Sequence, residues 1–379
     1  MGLCVHIIVK VIGKMLRKLG IGARDTSVDV SKILDQSNVM VAENRWREAV
    51  ELLVMHNRTQ PQVELEKQLV DLRLKAAGHI QFAAAFPPRS DTNIKEPSWR
   101  LEGGIPVIPG DELNAHILSK AILEYGHLIV RDYIPRTAIK PLRTAIDLAL
   151  AARVAAYTGE LGRIDEAWYY ESPHFPGNHV SYSRRHATKK FTLTGSIPVI
   201  DSPRASFELM ELYHELGLPN LMREFFADEP LIATRKWMFR LVAPRQDVDD
   251  GIGGGWHQDG QFMGDSIQTL NLWAPLSHCG DGTNAPGIAI IPKRINEVVE
   301  YGTRGAKLDW TVGADLVSEI AEIAPVVRPR FRPGDALFFD HFSLHRSGHA
   351  ESQTENRYAI ECWFYAASAH GGRPVLPTF

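Results

Sequence analysis

Two histidines and one aspartate have the residue types and the spacing of a metal site. His257 and Asp259 are two residues apart, and His345 follows far downstream. Two imidazoles and one carboxylate form the facial triad that binds non-haem Fe(II) and leaves its other coordination positions open. Open positions are what an oxidising cosubstrate and O₂ both require. An isolated His-x-Asp is common by chance, however, and the alternative is a hydrogen-bonded loop histidine beside a solvated aspartate.

Three histidines compete for the role of the second imidazole ligand. His341, His345 and His349 are spaced by four residues, so they share one face of a helix and also one face of a strand. Spacing alone therefore leaves the choice open. Their context is more informative, because a Pro-Gly-Asp turn at 333–335 and a strand pattern at 336–339 run into Leu344–Gly348.

The elements that precede the metal site are helical. The apolar spacing predicts one helix from Val39 to Met55 and a second from Val63 to Ala77, which together resemble a single tetratricopeptide-type hairpin. A solenoid needs several stacked units, and the sequence contains no second copy. We therefore expect residues 1–100 to be a helical extension packed against a main domain of residues 101–379. The Pro- and Gly-rich stretch from Phe86 to Asp111 is the predicted junction.

The main domain is predicted to begin with helices and to continue with strands. The helical patterns are Leu113 to Tyr125, Pro135 to about Tyr157 and Ala205 to Leu216, with a strand pattern at His127 to Tyr133. Beyond Arg235, short β-like runs alternate with turn residues: Trp237–Val242, Thr269–Trp273, Gly287–Ile291, Ala336–Phe339 and Arg357–Tyr365. Many short strands predict a sandwich or a barrel, so the expected fold class is α+β with a jelly-roll-like core.

Composition excludes several classes of protein. The net charge of −3 gives no reason to expect nucleic acid or an anionic membrane as a partner. Three cysteines without a CxxC spacing argue against a disulfide framework and a structural zinc site, and favour a cytoplasmic protein. The amphipathic stretch Met1 to Gly20 lacks the charge order of a signal peptide and is too short to span a bilayer. We expect it to pack on its own domain; a membrane-surface or partner-binding helix is the alternative.

From about Ile105 to its C-terminus, the chain resembles the phytanoyl-CoA dioxygenase family of Fe(II)/2-oxoglutarate-dependent oxygenases. The resemblance lies in several ordered motifs, which are more specific than His-x-Asp alone. They are Tyr125–Asp132, His257–Asp259, Ala285–Pro292, Gly334–Phe339, Leu344–Gly348 and Arg357–Ile360. The interval from His345 to Arg357 is one residue longer than the family pattern, which implies a bulge or a longer turn. The family fold is a double-stranded β-helix, in agreement with the strand pattern.

The resemblance implies a role for each matching residue. His257, Asp259 and His345 would bind Fe(II), and Arg357 would bind the distal carboxylate of the cosubstrate 2-oxoglutarate with help from Ser347. Two further residues match positions that line the cosubstrate pocket of family members: Gln258 and Trp273. Related halogenases lack the carboxylate ligand, so the presence of Asp259 implies hydroxylation, or another two-electron oxidation by O₂, rather than halogenation.

Arg357 is also suited to this role on physical grounds. A planar guanidinium grips a carboxylate through two parallel hydrogen bonds and keeps its charge in a buried pocket. The alternative is an ion-paired strand arginine, for which Glu361 has the matching parity.

The expected substrate is a small molecule. An anionic one is favoured only if the basic run 184–190 contacts it instead of solvent. Two other functions stay open. One is a hydrolase or lyase that uses another metal at the same ligands, because such ligands do not select one metal uniquely. The other is a non-catalytic binding protein. Neither the substrate nor the oligomeric state is predicted by the sequence.

Overall fold

The computed structural model describes residues 29–79, 99–158, 165–174, 195–244, 255–264 and 267–379. The expectations for Met1 to Gly20 and for the basic run 184–190 concern residues outside these ranges. Within them, no helix has the length and the apolar character needed to cross a membrane.

Three helices open the described chain: α1 (Val30–Ala42), α2 (Trp46–Thr59) and α3 (Val63–Ala76). The predicted single helix from Val39 to Met55 is wrong, because the chain leaves the helix after Ala42 and Asn44 takes a φ of 61°. Asparagine tolerates this left-handed conformation better than most residues do. The buried faces of the three helices form one apolar cluster, which Phe207 and Phe379 complete.

The rest of the chain alternates between helices and strands. The helices are α4 (Ala115–Tyr125), α5 (Arg136–Thr158), α6 (Pro203–Glu215), α7 (Leu218–Phe226), α8 (Gly260–Met263) and α9 (Ala314–Ile323). The strands are β1 (Arg100–Glu102), β2 (Ile105–Pro109), β3 (His127–Arg131), β4 (Ser196–Pro198), β5 (Pro230–Val242), β6 (Thr269–Pro275), β7 (Gly287–Ile290), β8 (Ala336–Asp340), β9 (His345–Gly348), β10 (Arg357–Ala366) and β11 (Val375–Pro377).

The described residues form a mixed α and β structure around one large sheet. Nine strands pair in the order β1-β2-β3-β8-β6-β10-β5-β11, with β4 joined to β5. All of these pairs are antiparallel except β2 with β3. Part of the predicted junction thus enters the sheet as β1 and β2. Since β2 is buried on both faces for most of its length, its sequence shows no alternation of apolar and polar residues.

The two faces of the large sheet have different partners. Successive side chains of a strand point to opposite faces. Ile360, Cys362 and Phe364 of β10 therefore pack against helices in the main apolar cluster. Ala359, on the opposite face, packs in a second cluster with Ile288 of β7. A small sheet thus covers the second face of the large one, and the predicted metal ligands meet between the two sheets.

That small sheet is extended by single bridges. β7 pairs with β9, His257 forms an antiparallel bridge with His345, and Ile290 forms one with Val327. The resulting order is residue 257, β9, β7, residue 327.

Candidate metal centre

Backbone pairing brings the two histidines together. The amide of His257 donates to the carbonyl of His345 at 3.0 Å, and the amide of His345 donates back at 3.1 Å. The two ring centroids are 4.4 Å apart. Asp259 Oδ1 lies 3.9 Å from His257 Nε2. One ligand atom from each of the three side chains lies within 4.8 Å of the other two, so the group can hold a metal ion.

Each imidazole is oriented by a hydrogen bond on the side away from the cluster. Nδ1 of His257 donates to the carbonyl of Gly255 at 2.9 Å, and Nδ1 of His345 donates to the carbonyl of Ser343 at 3.0 Å. A carbonyl can only accept, so the proton of each neutral ring is on Nδ1. The lone pair of Nε2 is therefore available, which is how metal-binding histidines are held in proteins.

The ionisation states at neutral pH also suit a metal. Burial raises the pKa of Asp259 to about 6, and burial together with the neighbouring His345 lowers the pKa of His257 well below its ordinary value. At pH 7 the carboxylate is still ionised and this imidazole is neutral, the forms in which these groups bind metals. Asn271 Nδ2 also donates to Asp259 Oδ2 at 3.2 Å and fixes the carboxylate.

Glycines beside the ligands allow close packing. A Cβ on Gly255 would lie 2.4 Å from Thr311 Cγ2, and one on Gly260 would lie 2.7 Å from Val298 Cγ2. Both distances are shorter than van der Waals contact, so the segment 255–260 can pack this tightly only with glycine at its ends.

Arg357 is a buried cation between the same two sheets. The residue is 2% exposed, and its Nη1 donates to the carbonyl of Gly287 at 2.6 Å. Its guanidinium carbon lies 5.3 Å from the centroid of the Trp273 ring. Burial lowers its pKa to about 10, so it remains charged at neutral pH. Among the described residues, no carboxylate lies within ion-pair distance of it.

Glu361 is bound by a different arginine. Arg240 Nε lies 3.5 Å from Glu361 Oε2, and Arg240 also donates to the hydroxyl of Ser196. The alternative in which Glu361 is the partner of Arg357 is thus wrong, and the positive charge of Arg357 has no counter-ion in the part of the chain that the structure describes.

Two further predicted site residues, Ser347 and Trp273, lie in different surroundings. Ser347 is on β9, two residues after His345 and on the same face, and is partly exposed. Trp273 is 4% exposed, between Arg357 and Phe331. Their roles toward a cosubstrate stay predictions.

Gln258 has a structural function that the sequence did not indicate. Its Nε2 donates to the carbonyls of Glu297 at 3.0 Å and Phe342 at 2.7 Å. Its Oε1 accepts from the amide of Val299 at 2.7 Å. Three backbone bonds therefore occupy this amide, which ties two loops to the segment that carries His257 and Asp259. Its predicted contact with a cosubstrate stays a prediction.

Several residues near the ligands were not anticipated. Lys236 reaches the rings of Phe262 and Trp363, and Trp310 stacks edge-on against His257 at 5.9 Å. Strand parity could have found Lys236, because it shares its face of β5 with Arg240.

Comparisons with known proteins give distant likenesses. No protein-family model matches the chain, and no curated protein matches it. EvdO2 from Micromonospora carbonacea var. aurantiaca, solved in complex with 2-oxoglutarate, is 16% identical over 66% of this chain and 90% of that one, with a TM-score of 0.40. EctD from S. alaskensis, solved with 2-oxoglutarate and 5-hydroxyectoine, is 17% identical over 76% of this chain and 88% of that one, with a TM-score of 0.42.

A third solved structure is SnoN, a non-heme alpha ketoglutarate dependent epimerase from nogalamycin biosynthesis. It is 13% identical over 66% of this chain and 83% of that one, with a TM-score of 0.34. Because these identities and TM-scores are low, the function below is inferred from the residues of this chain, and membership of the phytanoyl-CoA dioxygenase family stays a prediction.

Proposed function

We propose that the protein is an Fe(II)- and 2-oxoglutarate-dependent oxygenase that oxidises a C–H bond of a small molecule and releases succinate and CO₂. One observation carries this proposal. Two imidazoles with Nε2 lone pairs and one carboxylate converge, while Arg357, which has no counter-ion among the described residues, is buried between the same two sheets, against Gly287 and Trp273.

A double-stranded β-helix core is part of the proposal. Following the chain from β5, successive strands alternate between the large sheet and the small sheet: β5, residue 257, β6, β7 with residue 327, β8, β9 and β10. Such alternation between two facing sheets is expected of a jelly roll and supports this assignment.

The donor set fits a ferrous ion. His257, Asp259 and His345 would supply two nitrogens and one oxygen from one side, and leave the opposite side free for other ligands. Fe(II), when bound with 2-oxoglutarate, would supply the oxidising chemistry with O₂. The protein's own contribution is to hold Nδ1 protonated on each histidine and to keep Asp259 ionised through Asn271.

Arg357 would bind and orient the cosubstrate. A buried guanidinium without a counter-ion is unfavourable, and a carboxylate that accepts two parallel hydrogen bonds from it offsets that cost. Trp273 covers one side of the guanidinium and limits the access of water. Because no described carboxylate pairs with it, Arg357 would give the site a preference for a dicarboxylate that can reach from the metal to the arginine.

An anaerobic titration tests the proposal. Fe(II) and 2-oxoglutarate, added to the metal-free protein, are expected to give the visible charge-transfer absorption of a chelate. Asp259→Ala should not give it, and Arg357→Gln should give it only at higher 2-oxoglutarate. Arg332→Gln, at an exposed arginine of the same chain, is the matched control. Absence of the band, or an activity that zinc restores and iron does not, would favour a hydrolase or lyase. Ligand binding without succinate formation, unchanged in His257→Ala, would favour a binding protein.

A further inference from the structure

A second cation lines the same interior on the side of Asp259. Lys236 lies on β5, and its Nζ is 4.2 Å from the centroid of the Trp363 ring and 5.2 Å from that of the Phe262 ring. Trp363 of β10 pairs with Asn271 of β6, the residue whose amide holds Asp259. The ammonium group is therefore placed beside the candidate metal ligands and is not on an outer face of the sheet.

Lys236 and Arg357 occupy different ends of that interior. Arg357 begins β10, and Trp363 is six residues further along the strand, which corresponds to roughly 20 Å of extended chain. Arg357 contacts Trp273, whereas Lys236 contacts Trp363. A cosubstrate bound to Arg357 would thus leave the surroundings of Lys236 available to another molecule.

The charges of this interior balance except at Lys236. Glu361 is paired with Arg240. Asp259 would bind the metal, and Arg357 would be matched by the cosubstrate. Among the described residues, no carboxylate lies within ion-pair distance of Lys236. This positive charge therefore has no partner among the described residues or in the proposed cofactors.

Aromatic rings lie next to this unmatched charge and to the metal ligands. Phe262 follows Asp259 by three residues, is 38% exposed, and its ring centroid lies 6.1 Å from that of His257. Trp310 is 5.9 Å from both of these rings. An apolar wall next to one cation suits a molecule with an apolar body and one anionic group.

We propose that Lys236 binds the carboxylate of a monoanionic substrate whose apolar part contacts Phe262 and Trp310. This inference rests on the proposed function, since it assigns the substrate of the same site. A single ammonium matches a single negative charge. A dianion such as a phosphate monoester would leave one charge unmatched near Asp259 and Glu361, which disfavours it.

Pairs of probes that differ only in charge test the proposal. We would titrate 3-phenylpropionate and 3-phenylpropionamide, and octanoate and octanamide, into the anaerobic protein loaded with Fe(II) and 2-oxoglutarate, and measure binding by calorimetry. At least one acid should bind about tenfold or more tightly than its amide, as expected for a hydrogen bond to a charged group.

The variants separate charge from packing. Lys236→Met keeps an unbranched apolar chain against the two rings, so it should fold normally and bind acid and amide with similar affinity. Lys236→Arg should preserve most of the preference for the acid. Lys140→Met, at an exposed lysine of α5, is the matched control and should behave as the unchanged protein does.

The chelate absorption separates failure of this inference from failure of the proposed function. Suppose that the band forms both in the unchanged protein and in Lys236→Met. If no acid then binds more tightly than its amide, or if the preference for the acid survives in Lys236→Met, the role of Lys236 is overturned. The oxygenase proposal would still stand. If the band does not form in the unchanged protein, the oxygenase proposal itself fails, whatever the probes show.

Discussion

Two regions of this protein contain buried charged side chains, and the two regions differ in the partners that these side chains have. Where the helices pack on the large sheet, two buried charges have partners within the protein: Arg153 is bound to Asp201, and Glu66 accepts from Arg204 and Asn57. Between the two sheets, among the described residues, Arg357 donates only to backbone carbonyls, and the carboxylate of Asp259 accepts only from the neutral amide of Asn271. These two charges of the first region are matched within the protein, whereas we expect Arg357 and Asp259 to be matched only when ligands are present.

This difference separates stability from function. Removing one partner of a satisfied buried pair leaves an isolated charge and costs stability. Removing a charge that has no partner in the protein relieves an unfavourable group, and its cost is felt in ligand binding. Substitutions in the two regions should therefore have opposite effects on stability and on activity, and the following experiments test that contrast.

The largest effect is expected for Asp259→Ala. The variant loses the only carboxylate of the metal group, so succinate formation should fall by more than about 100-fold, beyond the range for residues that only support a ligand. The free energy of unfolding of the metal-free protein should not fall, because a buried carboxylate has been removed. Urea unfolding and a succinate assay on the same preparation check this. Reduced stability together with retained activity would mean that Asp259 stabilises the fold and does not bind the metal.

Asp201→Ala tests the satisfied region. The substitution leaves Arg153, which is largely buried, without its partner. We expect the free energy of unfolding to decrease by about 3–5 kcal/mol. Activity per folded molecule should be unchanged. The control is Asp111→Ala, which removes an exposed carboxylate. This substitution should have little effect on stability. A specific loss of activity in Asp201→Ala at full stability would contradict the contrast.

Arg357→Gln is expected to weaken the binding of 2-oxoglutarate. Losing a buried charge-assisted pair costs about 2–5 kcal/mol, so the dissociation constant should rise by about 30-fold or more. Stability of the ligand-free protein should be equal or higher. Arg357→Lys keeps the charge but not the planar pair of donors, so it should restore only part of the affinity. Titration of the chelate absorption measures all three proteins, and equal affinities would exclude Arg357 from the cosubstrate site.

The contrast between the regions also explains what the sequence could predict. Strand and helix patterns gave the positions of about half of the described elements, such as α3 and β6, because alternation and helical spacing follow directly from burial on one face. They failed at Asn44, where one backbone conformation divides two helices, and at β2, which is buried on both faces. These depend on tertiary contacts.

Spacing predicted the residue types of the site, and the family resemblance was needed to select His345. Spacing could not choose among three histidines, because the choice depends on the bridge between His257 and His345. It also could not show that Gln258 binds backbone groups, or that Glu361 pairs with Arg240 and not with Arg357. Such pairings join residues that are distant in sequence, so no local pattern contains them.

His127 lies near the site, but both of its ring nitrogens form hydrogen bonds within the protein, so it resembles the buried groups that are matched internally. Its Nδ1 donates to the carbonyl of Tyr125 and its Nε2 accepts from the hydroxyl of Ser343 at 2.6 Å. Burial lowers its pKa from 6.5 to about 4. As pH falls below 6.5, the unfolded chain takes up a proton that the folded protein excludes, so stability is lost progressively until about pH 4.

The expected contribution of His127 is about 2 kcal/mol between pH 7 and pH 5. Urea unfolding at the two pH values should show a smaller loss in His127→Gln than in the unchanged protein by about this amount. An identical pH dependence in the two proteins would mean that His127 is not held neutral by the fold.

The smallest effect is expected for Asn271→Ala. Asn271 touches no ligand in the proposal, but its amide holds Asp259 in place at 3.2 Å. Loss of such a supporting hydrogen bond typically lowers metal affinity by about tenfold or somewhat more. We therefore expect a weaker Fe(II) affinity, with catalysis largely recovered at saturating iron, whereas Asp259→Ala should not recover at any iron concentration. If the activity of Asn271→Ala instead did not recover at saturating iron, Asn271 would have to contact a ligand itself. Asn271 of β6 would then be a binding residue of the site and not a residue that only supports Asp259.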